Sequence, residues 1–437
     1  MNTPASTPPP STPAPAPTAM AASDFALDNA QRSLGDVWND TKGRLKSGNL
    51  GAIPALLSIF VLGAIFTYAK GSVFLGAPNF ANLLDQSSSV IVIAMAVSFA
   101  LLLGEIDLAA GFTAGVSAAV LATRLQDWPL GWSILASAVV AAVLGTFTGF
   151  MVARVGIPSF VVTLANVLLF QGILLLLVKE GGSVRIDNRF VNGLVGNSMT
   201  PTLSWIFTLL VLALFALSLV RRQRSSHGAI PMSLVGLKLA TAVVVGVFVT
   251  IVLNRNRAPV RARENGVVIS GMPIVVPAIA VLLLVLTFLL TRTRYGRHLY
   301  AVGGNAEAAR RAGINVTRIR LSAFVMCGLL AGIGGAFLAS RVNSVDPNTG
   351  ANDTLLLAVG AAVIGGTSLF GGQGRMLNAV LGGVVLALIP NGLSLVGKRS
   401  PFGTEIDFGS SGVKFMCAGA ALLLASSVDA LSRKRTG

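Results

Sequence analysis

Apolar residues in this chain come in blocks of about 20, the length a helix needs to cross the hydrocarbon of a bilayer, and short polar connections separate them. Blocks lie near 52–69, 86–103, 108–124, 131–153, 158–178, 203–220, 233–253, 272–291, 318–340, 354–369, 376–396 and 413–430. The pattern predicts an all-α polytopic membrane protein with about 10–12 transmembrane helices, because only a helix satisfies its own backbone in lipid. One connection carries its own helix punctuation. Asn305 suits an N-cap, Glu307 and the pair Arg310 and Arg311 have the signs the helix dipole favours at either end, and Gly313 suits a left-handed stop. Residues 306–312 are therefore expected to form a short surface helix, too short to be stable unless something holds it.

Composition agrees. Of 437 residues, 53% are hydrophobic and 11% charged, against about 25% charged in soluble domains. The net charge of +16 sits in loops and tails, where it sets topology rather than binding nucleic acid. Arg32, Lys42, Arg44 and Lys46 before the first block, and Arg433, Lys434 and Arg435 after the last, place both termini in the cytoplasm. The 292–318 loop falls on the same side. Arg255, Arg257, Arg261 and Arg263 would then face outward, against the rule. Residues 1–22, rich in Pro, Ala, Ser and Thr, read as a disordered, retained tail without a signal peptide. Residues 24–46 suit either a helix lying on the membrane surface or a solvated linker within a 1–50 tail. A transmembrane domain over 51–430 and a basic tail at 431–437 complete the organisation.

The candidate chemistry is sparse. Cys327 and Cys417 lie inside apolar blocks as small hydrophobes, and His227 and His298 lie in loops, so neither a metal site nor a cofactor is expected. Small residues at Gly328 and Gly332, and at Ala331 and Gly335, have the spacing that brings membrane helices close. In Gly104-Glu-Ile-Asp-Leu-Ala-Ala-Gly111, Glu105 and Asp107 interrupt an apolar region. The favoured reading is a helix break at the cytoplasmic interface with water around both carboxylates; an intramembrane pair on a solute path competes with it. Gly365–Arg375 has a similar rhythm, pairing Gly104 with Gly365 and Gly111 with Gly372, which suggests an internal repeat. No GxxxxGK[ST] phosphate loop occurs anywhere, so the chain is not expected to hydrolyse nucleotides itself. Thr163, Asn166, Gln171 and Asn391, polar residues inside blocks, are candidates for a solute path, with interhelical bonding the favoured reading for each.

Tyr295-Gly-Arg-His-Leu-Tyr-Ala-Val-Gly-Gly-Asn305, Ala309 to Ile314, Ile364-Gly-Gly-Thr-Ser-Leu369 and Asn391 to Gly397 resemble the ribose/xylose-type sugar permeases of ATP-binding cassette importers. Gly104–Gly111 is similar too, with Glu105 standing where that family has glycine, and Ala109 and Ala110 where it has Ser and Val. The resemblance implies a homodimeric permease in the bacterial inner membrane, a separate ATPase subunit and an external sugar-binding protein. It also implies that Gly303, Gly304, Asn305, Glu307, Ala308, Arg310, Arg311, Gly313 and Ile314 form the coupling helix seated in the ATPase. Three blocks before the Tyr-Gly-Arg loop, at 203–291, match the longer xylose-type build, so xylose or a related pentose is the expected cargo. Ribose, galactose or another polar solute is the alternative, as is an ion-coupled carrier using Glu105 and Asp107.

Overall fold

A computed structural model describes residue 35 and residues 51–224, 232–399 and 406–434. The expected 1–22 and 24–46 segments lie outside the described residues, apart from residue 35. Seventeen α-helices occur among the described residues: α1 (Ile53–Lys70), α2 (Ser72–Leu75), α3 (Ala77–Leu102), α4 (Ala110–Asp127), α5 (Leu130–Phe150), α6 (Ser159–Val178), α7 (Arg189–Gly196), α8 (Pro201–Arg224), α9 (Met232–Leu253), α10 (Val260–Glu264), α11 (Val275–Arg292), α12 (Arg294–Gly304), α13 (Ala306–Arg311), α14 (Val316–Val342), α15 (Asn352–Ile364), α16 (Met376–Val396) and α17 (Ser411–Lys434). Nine of these are long and apolar enough to cross a membrane, so the chain is a multi-pass membrane protein.

The three other expected blocks also form helices. Helix α4 is richer in Gly, Ser and Thr, and its apolar face is buried in protein. Helix α15 has 13 residues and spans only ~20 Å at 1.5 Å per residue. Its block ends early because Gly366, Gly371, Gly372 and Gly374 take positive φ, which unwinds 365–375. The apolar part of α17, Ser411–Leu424, is likewise short. Three helices, α8, α9 and α11, fill 203–291 as expected, and the Thr208 and Thr250 hydroxyls join α8 to α9 at 2.6 Å.

Helix α14 is the axis of the assembly, packed along α3, α4 and α5. Its small residues make this possible. A Cβ on Gly328 would lie 2.9 Å from the Gly145 Cα of α5, and one on Gly332 would lie 2.8 Å from the Ser117 Oγ of α4. Helix α3 runs antiparallel to α14, with Ile93 against Gly334, and is buried almost continuously from Ser87 to Leu102. By contrast α1, α9 and α11 expose large apolar side chains such as Phe60, Phe248 and Phe288, as lipid-facing helices do.

At the C-terminal end of α14 the connections form a polar cap. Two short strands, β1 (Val184–Arg185) and β2 (Ser344–Val345), pair antiparallel. A second pair, β3 (Lys398–Arg399) and β4 (Ile406–Asp407), closes the α16–α17 connection. The arginine-rich loop after α9 belongs to this face, and one of its arginines is turned inward. Arg257 donates to the Leu253 and Gly271 carbonyls at 3.1 and 2.9 Å and to Ser198 Oγ at 2.7 Å. Burial lowers its pKa and the nearby Asp85 carboxylate opposes that shift. An arginine bonded to two backbone carbonyls is a structural pin, whichever side of the membrane it faces.

Candidate functional site

The segment linking α11 to α14 is two helices. Thr293 opens α12 by accepting from Gly296 N–H at 3.3 Å. The N-cap expected at Asn305 is present: its side chain accepts from Ala308 N–H at 2.9 Å. Glu307 then meets Arg310 at 3.1 Å and Arg311 at 3.3 Å, all three exposed. The stop is a Schellman motif. Gly313 N–H reaches the Arg310 carbonyl and Ile314 N–H the Ala309 carbonyl, both at 3.0 Å, with Gly313 at φ 80°. Helix α13 is one residue shorter than expected, because Ala312 is already its C-cap. Among its members only Ala309 is buried; the exposed Glu307, Ala308, Arg310 and Arg311 face away from the protein.

Helix α12 is not foretold by the apolar pattern, and it ties this segment to the core. Tyr300 donates its hydroxyl to the Gly374 carbonyl at 2.8 Å; burial raises its pKa, which the Arg375 charge partly offsets. Gly303 packs so tightly on the Leu102 carbonyl that a Cβ there would overlap it, and the same Cβ would stand 2.9 Å from Gly372 N. Gly372 N–H in turn donates to the Leu102 carbonyl at 2.9 Å. The α3–α4 break at 103–109 and the unwound 365–375 segment, the two turns of similar rhythm, therefore touch one another and touch Gly303. A Cβ on Gly104, itself at φ 77°, would lie 3.2 Å from the Phe370 carbonyl oxygen. Three segments distant in sequence meet backbone to backbone, and glycine permits each approach.

The first break also holds most of the polar candidates. Glu105 lies 3.5 Å from Arg320 on the first turns of α14, with side-chain exposures of 16% and 34%. Asp107 departs from the expected water-solvated turn: it is buried, accepting from Ala109 N–H at 2.9 Å and from the Cys327 thiol at 3.3 Å. The cause is α14. Arg320 and Cys327 are seven residues apart, ~10 Å along the helix, so the break descends from a charged contact near the end of α14 to a buried one well inside. Asp107 thereby serves the first turn of α4. Thr163 donates to the Ile106 carbonyl of the same break at 3.3 Å, and Asn166 donates to Thr148 Oγ1 at 2.9 Å. Gln171 and Asn391 lie elsewhere: Gln171 is half-exposed at the margin of the buried stripe of α6, while Asn391 donates to Asn79 Oδ1 at 3.0 Å. Thus Glu105, Asp107, Thr163 and Asn166 share one region, and each has a protein partner.

Lipid-facing helices thus surround an axis of glycine contacts, and broken helices meet a capped surface helix. Residues 79–407 match the family described as branched-chain amino acid transport system / permease component, and the chain belongs to that family. It is similar to the xylose transport system permease protein XylH of Escherichia coli (strain K12), 33% identical over 401 residues that cover 90% of this chain and 95% of the relative. The XylH of Haemophilus influenzae is 31% identical over 90% of this chain and 99% of its own length. The ribose import permease protein RbsC of Escherichia coli (strain K12) is 26% identical over 79% and 87%. No solved structure matches.

Proposed function

We propose that the chain is the membrane-spanning subunit of an ATP-driven importer that carries xylose or a related pentose across the bacterial cytoplasmic membrane. Two copies would form the channel, a separate ATPase would supply the energy, and a soluble binding protein would deliver the sugar. Both termini and the 292–318 loop would face the cytoplasm, as the basic residues at both ends favour. The similarity that carries this reading is the match to the xylose permease along 95% of that relative's length.

In this reading α13 docks into the ATPase through its exposed face, and its motion passes to both helix breaks at Gly303. The observation that supports a mechanical link is the shared contact of Gly303, Leu102 and Gly372. Alternation between outward and inward states would then amount to moving two broken helices together. Selectivity would rest largely with the binding protein, since each polar residue of the first break is already engaged by a protein partner.

The test is uptake of labelled xylose, ribose and galactose by cells carrying the chain with its ATPase and binding protein. Xylose uptake is expected to dominate and to vanish without the ATPase. In the double variant Gly304→Pro with Glu307→Arg, uptake should be lost while membrane insertion persists. Normal uptake in that variant would sink the coupling assignment. Uptake that needs no ATPase and collapses with a protonophore would replace it with ion coupling through Asp107.

A further inference from the structure

The loop between α9 and α11 carries four arginines against one glutamate, Glu264. Arg257 is turned inward, and Arg263 donates to the Ala258 carbonyl at 2.6 Å and to that of Asn256. Arg255 and Arg261 remain, both exposed. The loop is nonetheless folded: Arg257 N–H bonds the Ile269 carbonyl at 2.7 Å, and Val267 N–H bonds the Ala262 carbonyl at 2.9 Å. It is also held low. Gly271 N–H reaches back to the Leu253 carbonyl, the last residue of α9, at 3.0 Å.

On this ordered pad three consecutive large apolar side chains point outward, Val267, Val268 and Ile269, exposed to 45%, 66% and 44%. Phe248 and Ile251, in the last turns of α9 to which Gly271 bonds this loop, are exposed apolar side chains as well. Tyr68, Trp128 and Trp132 are exposed near helix ends on the same face, the position interfacial aromatic residues favour. Apolar side chains a few residues before α11, in a loop bonded through Gly271 to the end of α9 and carrying cations, fit the boundary between acyl chains and headgroups. Attachment to the apolar, lipid-facing end of α9 favours a lipid occupant over a soluble partner.

We propose that residues 255–269 form a membrane-surface pad that binds anionic phospholipid. Arg255 and Arg261 hold headgroup phosphates while Val267, Val268 and Ile269 insert beneath them. The pad gives the exposed arginines on this face a role that their placement against the topology rule leaves unexplained. It is independent of which solute the permease carries.

A nitroxide on Val268→Cys in the full chain, in nanodiscs containing phosphatidylglycerol, reads the depth; signal from the native Cys327 and Cys417 is subtracted using the unsubstituted chain. The label is expected to collide more with oxygen than with a polar nickel chelate, and a label on Asn265→Cys is expected to show the reverse. Val267→Cys repeats the measurement should the first variant insert poorly. In Arg255→Gln with Arg261→Gln, phosphatidylglycerol retained on purification should fall roughly thirtyfold, from ~1 kcal/mol per basic residue near an anionic surface. A label at 268 as open to the chelate as one at 265 would overturn the proposal. So would one that becomes shielded only when the sugar-binding protein is added, which would make the pad a protein-docking surface.

Discussion

Replacing Gly303 by alanine sets one methyl group against three main-chain atoms that cannot rotate away. The new Cβ would overlap the Leu102 carbonyl oxygen and stand 2.9 Å from both the Leu102 carbonyl carbon and Gly372 N. Forcing a methyl into a packed junction costs about 1–3 kcal/mol. Parting the Leu102–Gly372 hydrogen bond adds about 0.5–1.5 kcal/mol. Together the contact between α12 and the two breaks should weaken by ~2–4 kcal/mol, or roughly 30- to 1,000-fold in its population. Gly304 supplies the control, because a Cβ there meets nothing within 4 Å. In proteoliposomes, an assembly of Gly303→Ala with the ATPase and binding protein should hydrolyse ATP but import at least about tenfold less sugar per ATP; an effect on uptake of that size is already ~1.4 kcal/mol. Gly304→Ala should import nearly as the native chain does. If the two variants import alike, the junction does not transmit motion and the coupling mechanism is wrong.

Three further outcomes are expected. Asn305→Ala removes the acceptor for Ala308 N–H, costing ~1 kcal/mol of helix stability, so amides of 306–311 should exchange roughly fivefold faster. Glu105→Gln leaves Arg320 without its carboxylate and should destabilise by ~1 kcal/mol, whereas the swap Glu105→Arg with Arg320→Glu should recover part of the loss; no coupling in a double-mutant cycle of thermal unfolding would refute the pairing. Gly328→Val pushes β-branched bulk toward the α5 main chain, where even a first Cβ would stand 2.9 Å from the Gly145 Cα and 3.1 Å from its nitrogen. The cost should be about 3 kcal/mol or more, on the order of overpacked core sites, read as a lower unfolding temperature in detergent.

Much of the fold was legible because lipid restricts the alternatives. All twelve apolar blocks are helices, since a spanning segment must bond its own backbone. The α13 cap was readable from Asn305 and Gly313 because capping is local chemistry. Three features were not. The early end of α15 depends on glycines that unwind 365–375 against a distant partner. The burial of Asp107 is set by Cys327, a residue far along the chain whose proximity only packing reveals. Helix α12 carries three poor helix formers, Gly296, Gly303 and Gly304, and close packing requires the first two. Of the candidate site, Glu105, Asp107, Thr163 and Asn166 were identifiable as costly polar groups in apolar surroundings, but their partners were not.

The bond from Gly372 N–H to the Leu102 carbonyl has a consequence for how the chain is made. Leu102 emerges early in synthesis and Gly372 near the end, separated at ~5–20 residues per second by tens of seconds. Until then the 103–109 break lacks its contact with 365–375, although Thr163, Arg320 and Cys327 can already reach it. The newly inserted N-terminal helices must therefore remain in a provisional arrangement, with water or the insertion machinery satisfying Leu102. Closure of the junction is a late event in biogenesis, and a chain truncated before residue 365 should present its first break as a site for membrane quality control.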